Sequence, residues 1–272
     1  MKKYLKNFYD IICKQEMRIL PGNVAFFLVL SIFPVVTLAG LITSKFSISL
    51  TEAANILEGI PKEVVEILMP FFQKNTADNI FFFLILGFIL ASNGPHAIIL
   101  ASNALYNIEN KDYLSRRIKA LFMTILLIVL FLFIILVLSF GNTILKFILG
   151  LSILEPIENN IYNIFLLFKW PVAFVIIFIF VKLLYTIAPD KMISSKHVNK
   201  GAFFTTFGWM LVTAIYSYYA NNLANYSTMY GNISSIIVLM MWIYILSYIL
   251  ILGIAINTNE YNLLVENNSD KK

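Results

Sequence analysis

Residues 80–105 read IFFFLILGFILASNGPHAIILASNAL, twenty-six positions without an Asp, Glu, Lys or Arg. Crossing a hydrocarbon core of about 30 Å takes roughly 20 apolar residues in a helix, so this stretch is long enough to span a bilayer. Working outward, five more stretches of similar length, 24–43, 118–140, 161–187, 201–220 and 233–256, contain no Asp or Glu. Lipid offers no partners to backbone N–H and C=O groups, so such runs satisfy them internally as helices. The expected fold is all-α: a polytopic bundle of six transmembrane helices forming one domain over 1–260, with a flexible tail over 261–272.

Composition agrees with that reading. Hydrophobic residues make up 60% of the chain and charged ones 13%, with a mean hydropathy of +0.82. Water-soluble domains carry about 25% charged residues, so this surface is built to face something other than water. The net charge of +5 is explained by where the cations lie. If the N-terminus is inside, 15 of the 20 basic residues, among them Lys2, Lys14, Arg18, Lys111, Arg116, Arg117, Lys119, Lys191, Lys196, Lys200 and Lys271, fall on the cytoplasmic side. Lys45, Lys62, Lys74, Lys146 and Lys169 fall outside. Cytoplasmic loops are the ones enriched in Lys and Arg, so both termini are expected inside, next to anionic lipid. Cys13 is the only cysteine, which rules out an intrachain disulfide and a Cys-based metal cage. No apolar stretch of signal-peptide length precedes Pro21, so a cleaved leader is not expected.

One external segment, 44–79, is long enough to hold structure of its own. Pro61 stands where a helix can begin, and Val64, Val65, Leu68, Phe71 and Phe72 share the spacing of one helical face. A short helix on the outer surface is expected there.

Several spans contain residues that a plain anchor does not need. Ser92-Asn93-Gly94-Pro95-His96 lies in the middle of the second span. Proline removes an N–H and clashes with the preceding turn, while glycine loosens the backbone, so a kink or break is expected near mid-depth. A break would bare helix N-terminal amides, which favour anions. The sequence then places Asn93 and His96 beside a cavity. A proline kink whose polar neighbours bond to adjacent helices accounts for the same residues without any ligand. Lys169-Trp170-Pro171 is expected to kink or break the fourth span in the same way. Lys182, thirteen residues on, lies about 20 Å further along the axis and suits snorkelling to the interface. Pro21-Gly22-Asn23 where the first span begins, Pro34 at its centre, and Asn103, Asn107, Thr205, Thr206 and Asn257 add further polar or irregular positions. Gly208 and Gly253 permit close helix approach. The candidate substrate-binding residues are Asn93, His96, Lys169, Asn23 and Asn103.

Several of these local sequences together resemble the BrkB/YihY family of bacterial inner-membrane proteins, some of which have carried the label ribonuclease BN. The resemblance rests on Gly22-Asn23-Val24-Ala25-Phe26-Phe27 running into Ser31-Ile32-Phe33-Pro34, and on Asn103-Ala104-Leu105-Tyr106-Asn107-Ile108. It continues through Leu184-Tyr185-Thr186-Ile187-Ala188-Pro189-Asp190, Gly201-Ala202-Phe203, and Tyr230-Gly231-Asn232-Ile233 leading to Trp242-Ile243-Tyr244. It implies six spans, cytoplasmic termini, a bacterial cytoplasmic membrane and a transport or envelope-related role. One position departs from the pattern: where the family often reads Leu-Gly-Ala-Glu, this chain has Leu252-Gly253-Ile254-Ala255. A mechanism built on that Glu as ion carrier does not transfer.

Phosphodiester hydrolysis needs metal-binding carboxylates or a converging acid/base pair. The cytoplasmic acids Asp10, Glu16, Glu109, Asp112, Asp190, Glu260, Glu266 and Asp270 are scattered through loops and termini, and His96 and His197 lie on different segments. The sequence therefore argues against an enzyme, a cofactor and a nucleic-acid partner. It favours a transporter or lipid translocator acting on an anionic or amphiphilic substrate, with a membrane scaffold or envelope-assembly partner as the alternative.

Overall fold

A computed structural model of the chain describes residues 13, 15–45, 80–110, 112–134, 158–222 and 234–269. Among these residues all regular structure is helical: α1 Gln15–Lys45, α2 Ile80–Ala91, α3 Asn93–Tyr106, α4 Tyr113–Ile134, α5 Glu158–Ile187, α6 Asn199–Asn222 and α7 Ser234–Ser269. Each expected span lies in one of these helices, the second being divided between α2 and α3. The last residues of the third span and the surface helix expected within 44–79 lie outside the described residues.

Two differences from the sequence reading concern prolines and the C-terminus. α5 runs through Pro171 and α1 through Pro21 and Pro34 without interruption, so the fourth span is not broken as Lys169-Trp170-Pro171 suggested. A long apolar helix loses one hydrogen bond at a proline and keeps the rest, which neighbouring helices make tolerable in a membrane. α7 also continues past Asn259 to Ser269, where a flexible tail was expected. The first two residues of this extension are held by packing and an ion pair. The Tyr261 ring meets the edges of Tyr106 at 6.0 Å and His197 at 6.2 Å, Lys191 stands 5.7 Å over it, and Glu260 pairs with Lys200 at 2.9 Å.

α1 packs against α2, α3 and α7, while α6 packs between α5 and α7. The core is apolar and drawn from most of the helices, with Val24, Ile98, Ile99, Met123, Val181, Leu184, Ile251 and Ile254 almost fully enclosed. The outside is apolar too: Phe26, Ile118, Phe122, Val175, Phe207 and Ile215 are exposed. A soluble monomer rarely shows large contiguous apolar area. Two stretches, 170–187 in α5 and 237–262 in α7, are long and apolar enough to cross a membrane by length and composition.

The α6–α7 contact is the tightest in the bundle. A Cβ on Gly201 would collide with the Gly253 carbonyl oxygen, and one on Gly253 with the hydroxyls of Thr205 and Tyr185. Backbones this close leave room for side chain to backbone bonds across the interface. Gly201 N–H donates to Asn257 Oδ1 at 2.7 Å and Trp209 Nε1–H to Leu246 O at 2.9 Å, while Tyr185 OH reaches Leu250 O on α7 from α5 at 2.7 Å. Thr205, whose hydroxyl meets Tyr185 OH at 2.6 Å, Asn257 and Gly253 thus serve helix packing, whereas the Thr206 hydroxyl bonds Ala202 O in its own helix at 2.8 Å.

Candidate functional site

The α3–α4 loop, the α5–α6 loop and the α7 extension meet at one end of the bundle, and two polar centres form there. The first surrounds the interruption between α2 and α3. Only Ser92 leaves the helical assignment, and it keeps right-handed helical angles at φ −71, ψ −5. The hydrogen-bond ladder crosses it: Ser92 N–H reaches Phe88 O at 3.1 Å and His96 N–H reaches Ser92 O at 3.0 Å. The kink or break expected over 92–96 is therefore a one-residue interruption, and the His96 amide is already engaged within the helix. Pro95 cannot bond the carbonyl of Ala91, four residues earlier. That oxygen instead lies 2.9 Å from Ser31 Oγ on α1, whose proton is shared with Phe27 O at 2.6 Å.

Arg117, one turn into α4, closes the same interruption from the other side. Its guanidinium donates to Asn93 Oδ1 at 2.9 Å and to Ile89 O at 2.8 Å, and Ser92 Oγ also donates to Ile89 O at 2.6 Å. The His96 ring packs edge-on against Tyr113 at 5.9 Å, its buried Nε2 has no hydrogen-bond partner among the described residues, and it lies within electrostatic reach of Arg116, Arg117 and Asp190. A fork of guanidinium donors matches carboxylate and phosphate oxygens, so this centre can recognise an anion.

The second centre is a latch. Asn103 donates to Asp190 Oδ2 at 2.7 Å and to Asn110 Oδ1 at 2.9 Å, and it accepts from the Asp190 N–H at 2.8 Å. Lys119 reaches Asp190 Oδ1 at 2.5 Å, Ala188 O at 2.9 Å and Pro189 O at 3.0 Å. An ammonium has three protons, and all three are used. This arrangement joins α3, α4 and the chain leaving α5, and it has no spare donor on Lys119 to offer a ligand. A cleft of about 230 Å³ bordered by Ser115, Lys119, Thr186, Asp190 and Lys191 opens beside it.

The five candidate residues are thus dispersed. Asn93 and His96 belong to the interruption, and Asn103 to the latch. Asn23 is exposed on α1. Lys169 lies on α5, with its side chain outside the described residues, about 27 Å by helical rise from Ile187 at the latch end. Neither the 230 Å³ cleft nor the one between α5 and α6 is lined by Asn93 or His96.

The virulence factor BrkB family matches residues 12–272. The chain belongs to the BrkB family. It is 30% identical over 260 residues, covering 93% of this chain and 94% of the other, to the ribonuclease-like protein YfkH of Bacillus subtilis (strain 168). A shorter match, 27% identical over 96 residues and covering 35% of this chain and 34% of the other, is to the UPF0761 membrane protein IL2447 of Idiomarina loihiensis. No solved structure matches. This BrkB-family chain is an integral membrane protein.

Within the BrkB-family chain, stretches that carried the resemblance meet in space: 103–108 and 184–190 build the latch, and 201–203 opposes Gly253. Sequence reasoning placed none of Arg117, Lys119 and Asp190 in a site: it counted the first two as topology charges and Asp190 as a scattered acid ending a stretch that carried the resemblance. One signal was available. Lys119 falls inside the span drawn at 118–140, and a cation inside a span needs a partner.

Proposed function

We propose that the protein moves an anionic or amphiphilic substrate across the bacterial cytoplasmic membrane, as six spans with both termini inside. The observation that carries this reading is Arg117, drawn to the interruption in the second span and bonded to Asn93 and the Ile89 carbonyl. Arg117 stands near the start of α4, at the end of the bundle where the loops meet. Here its partners are weak neutral acceptors, which a phosphate or carboxylate replaces with stronger bidentate bonds. Exchange of those bonds would free the joint between α2 and α3 and couple substrate binding to helix movement.

Flux of a fluorescent anion and scrambling of a labelled anionic lipid, both in reconstituted vesicles, test this reading. Arg117→Lys keeps the charge and loses the fork, so transport is expected to fall at least tenfold with insertion unchanged. Lys169→Gln asks whether the opposite end of α5 contributes, and unchanged flux there assigns Lys169 to snorkelling. Wild-type vesicles no more permeable than protein-free ones would end the transport reading. The scaffold reading would then stand, favoured by the two clefts not being lined by Asn93 or His96.

A further inference from the structure

Lys182 sits five residues before the end of α5, inside the 170–187 stretch suited to a membrane crossing. It is half-buried, and among the described residues it joins neither of the two ion pairs, Lys119–Asp190 and Lys200–Glu260. It borders an open cleft of about 550 Å³ between α5 and α6, whose other walls are Phe178, Asn199, Lys200 and Phe203. The walls are sorted by position along the helices. Asn199 and Lys200 begin α6 and Lys182 is near the end of α5, so the polar groups rim the cleft where the helices end. Phe178 and Phe203 each lie one turn deeper. Phe203 is exposed, with its ring edge-on to Phe174 at 5.5 Å, and exposed Phe207 and Leu211 continue its line at four-residue spacing.

We propose that this cleft seats an anionic phospholipid, its phosphate between Lys182 and Lys200 beside the Asn199 side chain, and one acyl chain along Phe203, Phe207 and Leu211. Two cations bordering one cleft repel each other unless an anion lies between them. Among the described residues Glu260 pairs with Lys200 alone, and that pair, with 71% of the lysine side chain exposed, is weak and leaves the ammonium able to take a second acceptor. A free phosphate would satisfy the rim but leave the aromatic floor uncovered, whereas a lipid matches both. Basic pockets at span ends are where anionic head groups dock. The site stands whether or not the protein transports.

The test measures retention of fluorescent phosphatidylglycerol against phosphatidylcholine by the purified full-length protein in detergent. Wild type is expected to prefer phosphatidylglycerol, and Lys182→Gln to weaken its binding about fivefold, the worth of one basic residue near a membrane surface. Glu260→Gln releases Lys200 and is expected to shift affinity the other way, a gain that damage to folding would not mimic. Lys196→Gln, an exposed charge that does not line the cleft, should leave binding unchanged, and millimolar inorganic phosphate should not displace the lipid. Unaltered affinity in Lys182→Gln, an equal loss in Lys196→Gln, weaker binding in Glu260→Gln, or displacement by phosphate alone would each overturn the assignment.

Discussion

Pro95 leaves the Ala91 carbonyl without its helical donor, and Ser31 stands in from another helix. Removing that hydroxyl by Ser31→Ala should cost about 0.5–1.5 kcal/mol, the range of interhelical hydrogen bonds in membranes and in proteins at large. In a Pro95→Ala background the backbone can supply its own N–H, so Ser31→Ala should become nearly neutral. Unfolding midpoints of the four proteins in a double-mutant cycle measure the difference, and equal costs in both backgrounds would show that the hydroxyl does nothing for Ala91. The proline was legible in the sequence as a disturbance; its remedy was not, because nothing in a linear pattern says that position 31 faces position 91. The Lys119–Asp190 pair was hidden for the same reason, being 71 residues apart. Its Asp190 side chain is 1% exposed and its lysine 21%, so Asp190→Asn strands a largely buried cation. A loss of about 3 kcal/mol is expected, read as a lowered unfolding midpoint, with the double variant Lys119→Met/Asp190→Asn recovering part of it.

At the α6–α7 contact the glycines rank themselves by what a methyl group would strike. At Gly201 and Gly253 it meets backbone oxygen or fixed hydroxyls, whereas at Gly208 it meets the Ile249 side chain at 2.9 Å, which can turn aside. Alanine at 201 or 253 is therefore expected to destabilise the protein by about 2–3 kcal/mol, as overpacking does, and alanine at 208 by clearly less. Thermal unfolding in detergent checks the order. A Gly208→Ala loss as large as that of Gly253→Ala would mean that this interface yields uniformly. The sequence pointed to Gly208 and Gly253 as close-approach positions because small residues pack membrane helices. It could not rank them, since the ranking depends on Thr205 and Tyr185 converging from two other positions. The continuation of α7 was missed for a related reason: the stretch after Asn259 mixes polar and apolar residues without a span's length of either, and only the contacts of Glu260 and Tyr261 with Lys200, Tyr106 and His197 show how it begins.

Across the whole molecule, helix existence was legible because apolar length alone dictates it in lipid, while the identity of the site was not, because Arg117 and Lys119, read as topology signals, turned out to be bonded to Asn93 and Asp190 on other elements. The arrangement of ends offers a check on the six-span reading that does not depend on the charge count. Lys119 binds the Pro189 carbonyl, Tyr106 meets Tyr261, and Lys200 pairs with Glu260, so the loop after α3, the loop after α5 and the α7 extension share one end of the bundle. Single cysteines near Lys111, Lys196 and Lys271, placed after replacing the exposed Cys13, should thus respond alike to an impermeant thiol reagent. The basic residues crowding those loops predict that all three stay unlabelled from outside, and that cysteines near Lys62, Ser152 and Asn225 react. Complete inversion of the pattern would reverse the orientation and leave the bundle intact. Labelling at Lys111 without labelling at Lys196 is the damaging result, because the bonds among Asn103, Lys119 and Asp190 cannot form across a membrane.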